Sequence, residues 1–68
     1  MQMFNFDFMK NDNAKPIETV NRMMHTLNQA KHHCANLFNG RGSAINADRV
    51  QLRENGSSQV LYSWPEGD

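Results

Sequence analysis

Residues Lys15 to Gly40 read KPIETVNRMMHTLNQAKHHCANLFNG, and the fold turns on how that stretch is read. Apolar side chains recur at Ile17, Val20, Met23, Met24, Leu27, Ala30, Cys34, Leu37 and Phe38. Steps of three and four keep side chains on one face of a 3.6-residue helix. On a helical wheel these positions fill an arc of about 160°, with Val20, Leu27, Cys34 and Phe38 near its centre. Glu18, Asn21, Arg22, His25, Asn28, Gln29, His32 and Asn36 fall on the other face, which suits solvent. Pro16 fits a first helical position, where its missing N–H costs nothing. Glu18 then lies near the positive end of the helix dipole, although Lys15 offers no side-chain acceptor for a cap. Lys31, His32 and His33 lie in the C-terminal half, and Asn39-Gly40 supplies a stop. The pattern predicts one helix from about Pro16 to Asn39, roughly 35 Å long.

The flanking segments alternate instead. Phe4, Phe6 and Phe8 point one way and Asn5 and Asp7 the other, with Met3 and Met9 on the polar side; this is a strand with one buried face. Lys10 to Lys15 is a polar, turn-rich connection. After the helix, residues 39–43 read as a flexible loop with Arg41 between two glycines, and residues 44–47 are ambiguous. Asp48 to Glu54 sets Val50 and Leu52 inward and Arg49, Gln51 and Arg53 outward. Asn55-Gly56-Ser57-Ser58 signals a hairpin. Gln59 to Trp64 returns with Val60, Tyr62 and Trp64 on one side and Leu61 on the other, and Pro65 to Asp68 is an acidic tail. The expected fold is a single α+β domain over residues 1–68 with the order β-α-β-β. One long helix packs on a small three-stranded mixed sheet, its first two strands parallel through a right-handed crossover.

Composition narrows the function. Seven basic and seven acidic residues give zero net charge, which argues against a strong electrostatic hold on nucleic acid or an anionic membrane. Cys34 is the one cysteine, so no internal disulfide forms and a reducing, cytoplasmic setting is expected. No apolar run approaches the length of a membrane span, and residues 1–10 lack the pattern of a signal peptide. The core inventory is thin for 68 residues, and self-association as a homodimer is the supplement such a chain calls for.

Motifs for chemistry are weak. His25 and His32 share a helical face but lie about 10.5 Å apart along the axis. His32, His33 and Cys34 diverge by roughly 100° at each step, and no second cysteine completes a tetrahedral zinc site. Cys34 falls at the centre of the buried arc, where a nucleophilic thiol does not belong. No serine turn or carboxylate pair suggests hydrolysis, so neither an enzyme nor a cofactor is expected. Contact residues remain. Arg41 is framed by glycines and can present its guanidinium to phosphate or carboxylate. Arg49 and Arg53 form a stripe on the outward face of a hairpin strand, a shape that can enter a DNA major groove. Trp64, beside Pro65 and near Tyr62 and the arginine stripe, has the composition of a protein-contact hot spot. Arg22, His25, Gln29 and His32 form a polar surface on the helix.

The run Leu27…Gln29-Ala30-Lys31, a strand closed by Leu52-Arg53-Glu54-Asn55-Gly56, and a final strand ending in an aromatic residue together resemble small phage-encoded proteins, among them the anti-CRISPR inhibitors. The resemblance covers about the C-terminal two thirds and implies action without catalysis, by covering a surface of a larger host complex. It transfers no site residue, and the neutral charge departs from the acidic, DNA-mimicking members. The expected function is a non-catalytic protein-interaction module that blocks a larger host protein. The alternative is a dimeric nucleic-acid-binding regulator using Arg41, Arg49 and Arg53.

Overall fold

The computed structural model describes residues 2–10 and 15–65. The polar connection expected at 10–15 and the acidic tail at 65–68 therefore fall largely outside the described residues. The elements are β1 (Gln2–Met9), β2 (Glu18–Met24), α1 (Leu27–Leu37), a π-helical turn (Phe38–Gly42), β3 (Arg49–Glu54) and β4 (Val60–Trp64). The four strands make one antiparallel sheet in the order β2-β1-β3-β4. The aromatic alternation of β1 places Phe4, Phe6 and Phe8 on the helix side, where they are buried with Val50 and Leu52 of β3 and with Ala30 and Cys34 of α1. Ala30 and Cys34 are four apart and so share one helix face. Val20, Met24, Tyr62 and Trp64 flank this core from the outer strands.

The expectation of a three-stranded mixed sheet is corrected by the fourth strand, which comes from the first half of the presumed long helix. Val20 and Met24 are four apart, a spacing that suits a helix face and equally suits one face of a strand. As a strand, Val20 lies opposite Phe6 and Met24 opposite Gln2, both half-buried, while Thr19, Asn21 and Met23 are exposed. Pairing wins because β1, central and buried, presents main-chain donors and acceptors on both sides, and each requires a partner. The β-branched Thr19 and Val20 lose little by leaving a helix. β1 and β3 consequently run antiparallel as neighbours. The parallel pair is β2 and β3, with β1 between them and α1 crossing over it.

The helix starts where the chain can cap it. Thr26 has an extended backbone, and its hydroxyl accepts a bond from the Gln29 N–H at 3.2 Å. The Gln29 side-chain oxygen accepts from the His25 N–H at 3.1 Å. This arrangement is close to a capping box: it satisfies one donor the helix start leaves open, the Gln29 N–H, and the N–H of His25 just before the cap. At the far end the expected stop at Asn39-Gly40 does not occur. Helical turns run on through the π-helical segment, with Gly42 buried near Phe8 and Phe38. Asn46, at φ 60°, ends them, a left-handed position that asparagine tolerates. The hairpin signal at Asn55-Gly56 holds, with Gly56 at φ 87°. A register shift between Leu52 and Arg53 makes Leu61 the extra residue of β4 and sets Val60 opposite Arg53. Val60 therefore leaves the Tyr62–Trp64 side to which simple alternation assigned it.

Candidate functional site

α1 covers one face of the sheet; the other carries a polar row built around Asp7. Strand alternation sends Asp7 away from the phenylalanines, and its position in the central strand leaves its side chain 7% exposed. The Thr19 hydroxyl donates to Asp7 at 2.8 Å from β2. Arg53 of β3 donates through Nε at 2.5 Å and Nη2 at 3.1 Å, and its Nη1 donates to the Ser57 carbonyl at 2.8 Å. One carboxylate thus ties three strands, and its bond holds Arg53 above the ordinary arginine pKa. Asn5 lies in the next row, opposite Asn21 and Arg53. Its Oδ1 is buried with no hydrogen-bond partner among the described residues.

A second feature lies on the helix side. Tyr62 and Trp64, two residues apart on β4, face the flank of α1 and enclose an open groove of about 530 Å³ with Asn28, Lys31, His32, Ala35 and Asn36. The helical residues sit at steps of three and four, so one face of α1 forms the wall. The Lys31 ammonium lies 5.4 Å from the Tyr62 ring centre, a cation–π distance. Among the described residues, the lining holds two aromatic rings, one cation and one histidine, and no acidic side chain.

The expected contact residues divide among these surfaces. His32 and Trp64 meet in the groove. Arg53 is engaged by Asp7, and Arg49, opposite Met9, projects from the same open face. Tyr62 and Trp64 face the other side of the sheet from that stripe. Arg41 does not sit on a glycine-rich tip: it is helical, and its Nε and Nη2 donate to Glu18 at 2.8 and 2.7 Å. That pair lowers the Glu18 pKa and raises that of Arg41 through their hydrogen bonds. Glu18 belongs to the helix face, so Arg41 and the Arg49–Arg53 stripe lie on opposite sides. Arg22 is on β2, His25 is in the β2–α1 turn and Gln29 is in the helix cap. These three do not form one helical surface with His32.

Cys34 is fully buried, and burial pushes its thiol up to about 12, opposite to what a nucleophile needs. His33 is half-buried with its ring edge-on to Phe6 at 5.3 Å. Desolvation, then the charge of Arg22, pulls its pKa below the usual histidine value. Its Nε2 has no partner among the described residues. No group of three histidine, cysteine, aspartate or glutamate side chains among the described residues is arranged to hold a metal ion. No helix among them is long and apolar enough to cross a membrane. Sequence reasoning missed the Asp7–Thr19–Arg53 set. Its one signal was an acidic residue in the middle of an aromatic strand, which demands a partner once that strand is central. The architecture defines a class, an α+β domain with one helix on a four-stranded antiparallel sheet. No protein-family model, no curated protein and no solved structure matches the chain.

Proposed function

We propose that the chain is a non-catalytic protein-binding module whose groove between α1 and β4 takes an acidic, partly apolar segment of a larger partner. The groove's lining carries this reading: Tyr62 and Trp64 offer apolar area for an anchoring side chain, Lys31 and His32 offer positive or protonatable rim groups, and no carboxylate among the described lining residues repels an acidic ligand. The resemblance to phage inhibitors gives the reading a specific form, in which occupation of the groove blocks a host complex. The lone buried Cys34 suits a reducing compartment such as the cytoplasm.

The nucleic-acid alternative needs arginines free to reach phosphates. Arg41 and Arg53 are each held by a carboxylate, which cancels their charge where it would be used. Affinity capture with the chain and with Trp64→Ala, run in parallel with nuclease treatment, tests the reading. A nuclease-resistant protein partner in stoichiometric yield, lost with Trp64→Ala and weakened by His32→Glu, is expected. A partner that ignores both substitutions refutes the groove. A salt-sensitive shift of DNA or RNA that vanishes with Arg49→Ala plus Arg53→Ala moves the function to the alternative.

A further inference from the structure

The two edges of the sheet differ. β4 is short, carries the extra residue Leu61 and is followed at once by Pro65, all devices that blunt an edge against pairing. β2 is seven residues long with a regular register throughout, and it contains neither proline nor lysine. Met23 on its open face is 48% exposed.

The phase of the hydrogen bonding follows from the bonds at the strand ends. The Asn55 N–H donates to the Met3 carbonyl, and Asp48 N–H to the Met9 carbonyl, so Met3, Asn5, Asp7 and Met9 turn their main chain towards β3. The Ile17 N–H donates to the Phe8 carbonyl, so the phenylalanines turn theirs towards β2. Glu18, Val20 and Arg22, opposite Phe8, Phe6 and Phe4, therefore bond inward. Thr19, Asn21 and Met23 present their N–H and C=O groups to the open edge. Arg22 Nη1 donates to the Asn21 carbonyl at 2.9 Å, so a side chain covers one of these acceptors in the single chain.

We propose that this edge pairs with the β2 edge of a second copy, antiparallel about a twofold axis at Val20, to make a continuous eight-stranded sheet. That register sets Thr19 opposite Asn21 of the second copy, both with outward main-chain groups, for about four new ladder bonds. On the helix side it sets Glu18, which also holds Arg41 in the single chain, opposite Arg22 of the second copy, twice, and sets Val20 opposite its own copy at the axis. Cross-strand pairs of opposite charge and of apolar side chains both favour pairing. Centring on Asn21 instead leaves Glu18 opposite Met24 and Arg22 opposite Val20; centring on Arg22 brings like charges together. An interface of this length is at the small end for specific association, so dissociation in the range of about 10–100 µM is expected. The inference does not rest on the groove, which lies at the opposite edge of the sheet.

Sedimentation equilibrium from micromolar to near-millimolar concentration tests it. The chain is expected to rise from its 7.8 kDa monomer mass towards twice that value. Arg22→Glu weakens the dimer by about tenfold or more, through one charge conflict at each end, and Trp64→Ala leaves it unchanged. Val20→Cys, oxidised, gives a covalent dimer, because facing residues of a non-bonded pair approach within disulfide reach; buried Cys34 does not compete. Circular dichroism confirms that each variant is folded. A wild-type chain that stays monomeric over the whole series overturns the proposal. So does a dimer that tolerates Arg22→Glu and does not cross-link through Val20→Cys, or one that cross-links instead through Asn21→Cys.

Discussion

The Asp7–Arg53 pair offers the sharpest test of how the sheet is held. Removing one member of a buried ion pair strands the other charge, at a cost of about 3–5 kcal/mol when burial is complete. The two side chains are not equally buried: Asp7 is 7% exposed and Arg53 24%. Arg53→Met leaves the Asp7 carboxylate inside the sheet with only the Thr19 hydroxyl, so a loss of about 4 kcal/mol is expected. Asp7→Asn leaves a guanidinium that still donates to Ser57 and reaches water with part of its fork, so the expected loss is about 2 kcal/mol. The double variant strands no charge and should lose about 3 kcal/mol, roughly 3 kcal/mol less than the sum of the singles. A domain of this size holds about 3–10 kcal/mol in total, so Arg53→Met removes a large share of it. Urea unfolding at pH 7, followed by circular dichroism, gives all four corners of the cycle. Additive single losses, or a larger loss for Asp7→Asn than for Arg53→Met, would refute the assignment of a stranded carboxylate as the dominant cost.

Two further perturbations address the helix. The His33 pKa is lowered on folding, below its ordinary 6.5, so the unfolded chain binds the extra proton first; stability is then complete above that value and declines as pH falls through it. The melting temperature is expected to hold from pH 8 to 7 and drop towards pH 5, with the drop flattened in His33→Gln; an unchanged slope in that variant contradicts the assignment. Glu18 acts in a separate window, since its lowered pKa costs stability only below its ordinary 4.5. Thr26→Ala removes the acceptor for the Gln29 N–H and should cost about 1 kcal/mol, with Thr26→Ser near neutral; equal melting of all three chains shows that the cap does not set the helix start.

The parts of the fold that a single period describes were readable from the chain. β1 alternates aromatic and polar residues with no competing helical spacing, and its phenylalanines are the core. β3 and the Asn55-Gly56 turn carry equally unambiguous signals. Residues 17–27 carry two periods at once. Ile17, Val20, Met24 and Leu27 satisfy a helix, while Val20 and Met24 also satisfy a strand, and only the unpaired side of β1 decides between them. A local marker did exist: Thr26 followed three residues later by Gln29 is a helix-start signature, and it lies ten residues beyond Pro16. Pro16 is a weaker start signal than Thr26, because Lys15 before it cannot cap.

That one change of period is also what redistributed the candidate site. On a continuous helix, Arg22, His25, Gln29 and His32 recur on one face. With residues 18–24 in a strand, Arg22 moves to a sheet edge, His25 to a turn and Gln29 into the cap, and only His32 stays on an open helix face, where it meets Trp64 from β4. The arginines divided for a related reason. An outward strand position in a two-layer domain is not automatically solvent-facing when the strand is central: Arg53 sits beside buried Asp7 and is consumed by it, while the new strand brings Glu18 to Arg41. The fourth strand therefore engages Arg41 through Glu18 and, in the same step, creates the unblunted edge at Thr19, Asn21 and Met23. Both proposals, a groove whose described lining holds no acidic group at one edge and strand pairing at the other, take protein rather than nucleic acid as the partner.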